Sequence, residues 1–256
     1  MGPVLPSSYL RAILAREAVD DSAASPLQVV EEHVGRICDA WAGRLLLDVY
    51  PVGAIAKGTA NGSAFPMDLV ASLDPQTPHS MAQVYQSLFE ALDRLGLDPV
   101  RRPVSIAVPI EGVLVDIVPA RRESIHNDIH EIFSARRGVP IKTSLTQHVL
   151  DTVQSGRQEE IRILKLWRDQ HGLEFPSFYL ELSTITALRR RPLGELAENV
   201  WAVLAYYEAL FTARAMLDPA NANNVVSDEM TATEKAAVRD AARFARAGRP
   251  WSEIVT

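Results

Sequence analysis

Two aspartates in apolar surroundings, preceded by a glycine-containing turn, are the residues of this chain best suited to phosphoryl chemistry. Residues 52–73 read VGAIAKGTANGSAFPMDLVASL and carry Asp68; GVLVDIVPA follows and carries Asp116. Mg²⁺ takes oxygen ligands, usually one or two carboxylates together with substrate phosphates. Nucleotidyl transfer uses two such cations, about 3.5–4 Å apart, to clamp the attacking and leaving oxygens. Alternate side chains of a strand share a face. Met67, Leu69, Ala71 and Leu73 then form one apolar face, expected to be buried, and Pro66, Asp68, Val70 and Ser72 form the other. Asp68 thus points where a cation is needed, while its i−2 neighbour, Pro66, supplies no ligand. Proline is tolerated there because the first residue of a strand can lack its N–H. Asp48 and Asp74 are the nearby carboxylates that could compensate.

The elements that must position these groups follow from periodicity and punctuation. Ser25 as N-cap, Pro26 at the first helical position and apolar residues at Leu27, Val30, Val34, Ile37 and Trp41 predict a helix over 25–41. Residues 45–52 read as a strand entering Gly53, and Ser80 caps a helix running to about Leu95. Strands over 104–108 and 113–118 are joined by a turn at Glu111-Gly112. Beyond residue 140 strand signals fade, and helices are expected over 145–153, 159–171, 177–188, 193–217 and 231–247. Thr231 with Glu234 is a capping-box pattern. Residues 172–176 and 219–228 read as loops, and the first 24 residues as a loosely packed helix. The fold class is α+β: a mixed sheet with helices, followed by a helical half with no flexible linker between.

The residues around the two aspartates resemble a known family. Gly53-Ala54, Ala56-Lys57-Gly58-Thr59-Ala60 and Pro66-Met67-Asp68-Leu69 match, at unbroken spacing, a site that begins Gly-Ser, continues Ala-Lys-Gly-Thr-Ala and ends Asp-x-Asp-Leu. Val115-Asp116-Ile117-Val118-Pro119-Ala120 matches its third carboxylate strand. In this the chain resembles the DNA polymerase β-type nucleotidyltransferases. It is most similar to the bacterial CD-NTase (SMODS) branch of cyclic-GMP-AMP-synthase-like and oligoadenylate-synthase-like enzymes. Ile163-Leu164-Lys165-Leu166-Trp167, Pro176-Ser177-Phe178-Tyr179-Leu180-Glu181 and the segment from Asp218-Pro219 to Trp251 extend the resemblance over most of the chain.

The resemblance implies a polymerase-β-like core over residues 1–140 and a helical, PAP/OAS-like nucleotide-binding domain over 141–256. It implies Mg²⁺ (or Mn²⁺) on Asp68 and Asp116, which are also the catalytic pair, with Asp116 orienting or deprotonating the attacking hydroxyl. A nucleoside triphosphate would meet Gly53, Ala54, Lys57 and Thr59; Lys165 and Ser177 would grip its phosphates, and Phe178 would stack on its base. The function implied is triphosphate binding, with nucleotidyl transfer yielding a second messenger or oligonucleotide in anti-phage defence. Two departures, Ala54 for the family's Ser and Pro66 for its first carboxylate, give the alternative of an impaired pseudoenzyme, a nucleotide sensor or regulatory partner of another protein.

Composition bounds the remaining readings. With 256 residues and 47% hydrophobic content the chain can bury a substantial core, and a net charge of −6 argues against a general nucleic-acid coat. Arg101-Arg102, Arg121-Arg122, Arg136-Arg137 and Arg189-Arg190-Arg191 leave a local basic groove open, against the plainer reading of solvated surface. Cys38 is the single cysteine, which excludes a disulfide framework. No signal peptide, bilayer-spanning run or myristoylation pattern at Gly2 is found, so a cytoplasmic location without membrane attachment is expected. Lys57-Gly58-Thr59 is not the Gly-Lys-Thr order of a P-loop, and no Gly-x-Ser-x-Gly motif appears. His126 and His130, four apart around Asp128, lack the His-Glu-x-x-His pattern and a third ligand. Trp167 suits an amphipathic core, with Lys165 solvated, and Ser177 an ordinary N-cap.

Overall fold

The computed structural model describes residues 5–19, 26–62 and 66–256. In chain order these form α1 (Pro6–Arg16), α2 (Pro26–Ala42), β1 (Leu46–Pro51), α3 (Gly53–Ala56), β2 (Met67–Leu73), α4 (Met81–Arg94), β3 (Val100–Arg101), β4 (Ile106–Ile110), β5 (Val113–Arg122), β6 (His130–Ser134) and β7 (Val139–Thr143). Then come α5 (Leu145–Ser155), α6 (Gln158–Gln170), α7 (Ser177–Leu188), α8 (Leu196–Leu210), β8 (Leu217–Asp218), β9 (Asn221–Val225), α9 (Ala232–Ala245) and α10 (Trp251–Ile254). The expected N-cap Ser25 lies outside the described residues.

The sheet runs β1-β2-β5-β4-β3. Its β2–β5 pair is parallel and its other pairs antiparallel. The long β5 pairs with β4 through its first half and with β6 through its last three residues, and β6 carries β7. Glu111 and Gly112 both have positive φ, 50° and 77°, which is the two-residue hairpin geometry expected between β4 and β5. Met67, Leu69, Ala71 and Leu73 are all buried, the first three against α2 and α4. The opposite face is covered too: Val70 packs with Val52, Val118, Ile132 and Ile141, and Ser72 meets His130. The strand is therefore buried on both sides, as a strand with a parallel neighbour commonly is.

The expected capping box forms at Thr231 with Glu234 on α9, and Ser80, expected as a helix cap, forms one with Gln83 on α4 as well. Several expectations need correction. The N-terminal helix is not loosely packed, since Leu10, Ile13 and Leu14 are buried in the core of α6, α7 and α8. The helix expected over 193–217 ends at Leu210, and the loop expected over 219–228 holds β9, which pairs with β8 across a turn where the Ala220 N–H bonds Asp218 Oδ1. Strands continue past residue 140 to Thr143. His130 lies on strand β6, where its two ring nitrogens meet the Ser72 hydroxyl (2.9 Å) and the Asp128 carbonyl (3.1 Å).

A candidate nucleotide cleft

The turn after β1 is shaped by glycine. Gly53 has φ +63° and opens the one-turn helix α3; the Val52 N–H bonds the Asp68 carbonyl, tying the turn to the start of β2. The backbone then folds back, with the Thr59 N–H on the Ala54 carbonyl at 2.8 Å. This places Ala54 beside Asp68, whose Oδ2 accepts the Ala54 N–H at 3.4 Å. The hydroxyl that a serine at 54 would offer is absent, and the backbone donor is already directed at the carboxylate.

Asp68 and Asp116 stand directly opposite one another in the parallel register of β2 and β5. Burial, then the Asp116 charge, pushes the Asp68 carboxyl up to about 7. Burial also raises Asp116, against the opposing pull of Arg102. Asp116 Oδ1 is buried without a hydrogen-bond partner. Two facing carboxylates with an oxygen left over suit one hard divalent cation completed by substrate phosphates. When bound, such a cation would neutralise phosphate charge and polarise the phosphoryl group. Pro66 lines the same space and adds no oxygen ligand, and among the described residues no group of three His, Cys, Asp or Glu side chains could hold a metal ion. Neither compensating aspartate reaches the pair. Asp48 pairs with Ser72, four residues along β2 from Asp68, and Asp74 bonds the Gln76 N–H in a turn beyond the strand.

The lysines converge on a carboxylate that sequence reasoning had left without a role. Lys57 Nζ bonds Glu181 Oε2 at 2.7 Å; Lys165 Nζ bonds Glu181 Oε1 and Thr59 Oγ1, both at 2.8 Å. Glu181 is 2% exposed and both lysines 6%. Burial opposes its charge, but Lys165 and Lys57 outweigh burial and hold it at about 2. Lys165 is not solvated: burial lowers it and Glu181 holds it up.

Ser177 is the first residue of α7 rather than its N-cap, which is Pro176, and its Oγ accepts from Arg168 at 2.8 Å. Phe178 stacks on His148, with ring centroids 3.9 Å apart, and the Lys57 ammonium stands 5.5 Å from the Phe178 centroid. His148 Nε2 meets Asp218 Oδ1 and Thr143 Oγ1, each at 2.9 Å, and Thr143 donates to Asp218 Oδ2 at 2.7 Å. Arg168, His148 and Asp218 were missed. Arg168 directly follows the Lys-Leu-Trp motif, a signal that was available; the other two come together only in the fold.

All the residues assigned from sequence, Gly53, Ala54, Lys57, Thr59, Asp68, Asp116, Lys165, Ser177 and Phe178, line one cavity of about 400 Å³ between the sheet and the helices. Most of the arginine clusters are engaged: Arg121 with Glu131, Arg136 with Glu234, Arg137 with Glu229, Arg191 with Asn199, and Arg101 over the Phe89 ring. No helix among the described residues is long and apolar enough to cross a membrane.

This architecture is the α+β fold of the CD-NTases and polymerase-β-like nucleotidyltransferases. The structure of CdnC from E. coli MS115-1 with ATP superposes with a TM-score of 0.76 at 18% identity, covering 94% of this chain and 90% of that one. Bradyrhizobium diazoefficiens CdnG in complex with GTP gives 0.73 at 14% identity, covering 94% and 91%. The Cid1 poly(U) polymerase bound to MgATP gives 0.64 at 11% identity, covering 97% of each chain. No family model and no curated protein sequence matches this chain.

Proposed function

We propose that the chain binds a nucleoside triphosphate together with one Mg²⁺ or Mn²⁺ in the cleft between a sheet-based nucleotidyltransferase core (1–140) and a helical domain (141–256). The observation that carries this reading is the Asp68–Asp116 pair: two facing carboxylates, one oxygen unpartnered, lining the same cavity as two buried lysines. Carboxylates crowded this way repel each other, and a cation brought with phosphates relieves the repulsion. In this reading Lys57 and Lys165 face the phosphates, Ser177 and Arg168 close the outer end, and Phe178 carries the base. Where transfer occurs, Asp116 orients the attacking hydroxyl. The product would be a nucleotide second messenger or oligonucleotide serving anti-phage defence, by analogy with neighbours described as a cyclic dinucleotide synthase and as a CdnC–HORMA complex.

Pro66 favours a second reading, a nucleotide sensor or regulatory partner that holds triphosphate without turning it over. One carboxylate fewer weakens a second cation site, and each tenfold loss of rate corresponds to about 1.4 kcal/mol of barrier. Incubation with each α-labelled nucleoside triphosphate and Mg²⁺ or Mn²⁺, beside Pro66→Asp and Asp116→Ala, separates the two. Product from the unmodified chain, abolished in Asp116→Ala, establishes transfer. Binding without product, and product from Pro66→Asp alone, establishes the sensor. Absence of any cation-dependent triphosphate binding refutes both.

A further inference from the structure

We infer that Glu181 is a positioning residue that presents Lys57 and Lys165 as a single two-pronged grip for a polyphosphate chain. The inference rests on the triphosphate reading of the cleft and names the device that makes it work. Three separate segments meet here: Lys57 from the turn after β1, Lys165 from α6 and Glu181 from α7. The Lys57–Glu181 contact spans 124 residues of sequence and joins the core to the helical half.

The geometry is that of a holder. Each ammonium takes a different Glu181 oxygen, and the Thr59 hydroxyl accepts from Lys165 while donating to Glu181 Oε1 at 3.4 Å. An ammonium has three donors. Lys165 spends two on Glu181 and Thr59, and Lys57 spends one on Glu181, so donors remain for the cavity that both line. A flexible lysine held this way is already ordered before ligand arrives, which lowers the cost of binding.

Charge supplies a second argument. Burial drives an ammonium toward its neutral amine, and only a nearby anion keeps it protonated. The charged groups around Lys165 are Glu181 on α7, Lys57 on the turn, Arg168 on its own helix and, farther off, Asp68 on β2. Lys57 and Arg168 push Lys165 down, and Glu181 is the group that holds it up most strongly. Glu181 only partly offsets the burial that lowers Lys165, so without it Lys165 would give up its proton more readily still.

The test uses the full chain and inorganic tripolyphosphate with Mg²⁺, a probe that needs no base, measured by calorimetric titration from pH 7 to 9. Glu181→Gln is expected to bind about tenfold more weakly, the loss of one charge-assisted contact, and to weaken with rising pH more steeply than the unmodified chain. Glu181→Asp keeps the charge but is too short to reach both lysines. It should fall between the two in affinity and keep the pH profile of the unmodified chain, which a purely structural role would not produce. Thermal melts establish that the variants are folded; if the Gln variant is not, the Asp variant decides by its pH profile. Equal or tighter binding by folded Glu181→Gln would make the carboxylate a competing anion and overturn the inference, leaving the nucleotide reading intact. Failure of the unmodified chain to bind tripolyphosphate or any of the four nucleoside triphosphates overturns the reading of the cleft and this inference with it.

Discussion

Gly53 and Asp68 approach so closely that any side chain on the glycine would collide with the carboxylate: a Cβ at position 53 would lie 1.8 Å from Asp68 Oδ2. The glycine also has φ +63°, in the left-handed region. Gly53→Ala therefore meets two penalties, a conformational one of about 1–2 kcal/mol and a clash relieved only by moving Asp68. We expect a loss of at least about 2 kcal/mol in urea denaturation, with cation-dependent triphosphate binding lost as well. A variant that kept full stability would show that the turn is not held as described.

Asp68 gives the fold a pH dependence whose sign follows from its burial. Its carboxyl is raised from 3.8 to about 7, by burial first and by Asp116 second. The native state thus holds this proton more tightly than the unfolded chain. Its stabilising effect is complete below about pH 4 and disappears as pH rises through about 7. Asp68→Asn is neutral throughout. In the absence of divalent cations it should match the parent near pH 4 and be more stable at pH 8 by on the order of 4 kcal/mol. Denaturation at the two pH values decides; a constant difference would contradict the burial of the charge. Adding Mg²⁺ and a nucleoside triphosphate should reverse the order at pH 8, because the parent alone keeps both cation ligands.

The legible parts of this protein were those coded locally. The alternation in β2, the Ser80 cap, the Thr231 capping box and the Glu111-Gly112 turn each need only a few neighbouring residues, and each was read from them. The hairpin β8–β9 was not, because its first strand is two residues long and its second, NANNV, has no apolar alternation to detect. β6 was missed for a related reason: its buried His130 sits where a polar residue signals exposure, and the Ser72 partner is 58 residues away. Glu181 shows the same limit within the site. Its helix is apolar around most of its circumference, so periodicity assigns no face to a single carboxylate. Only the arrival of Lys57 and Lys165 explains how a glutamate can be buried there.

Asp218 shifts in the opposite direction from Asp68. Burial opposes its charge, but hydrogen bonds from His148, Thr143 and Asn224 prevail and hold it at about 2, against 3.8 unperturbed. A depressed carboxyl stabilises the fold above its unfolded value, and that stability is lost as pH falls through about 2. Asp218→Asn should therefore cost on the order of 2 kcal/mol at pH 7. The deficit should shrink as pH falls from about 4 toward 2, since the parent is then protonated as well. Parallel acid titrations followed by tryptophan fluorescence would test this; a deficit independent of pH would assign the cost to packing instead.

His148 is held by Asp218 and Thr143 and in turn covers one face of Phe178, with the two rings inclined by 28°. A ring braced from one side is a rigid platform on the other, and stacking on an aromatic side chain is worth about 1–3 kcal/mol per base. Phe178→Ala is expected to weaken nucleoside triphosphate binding about tenfold or more, for purines and pyrimidines alike, because every base has a π-face. Tripolyphosphate binding should be unchanged, and Phe178→Tyr should retain the parent affinity. His148→Ala should reproduce part of the loss, since the platform would survive without its support. Titrating each variant with a triphosphate and with tripolyphosphate separates base from phosphate: equal losses for the two probes would mean that Phe178 shapes the lysine grip through its contact with Lys57 and carries no base.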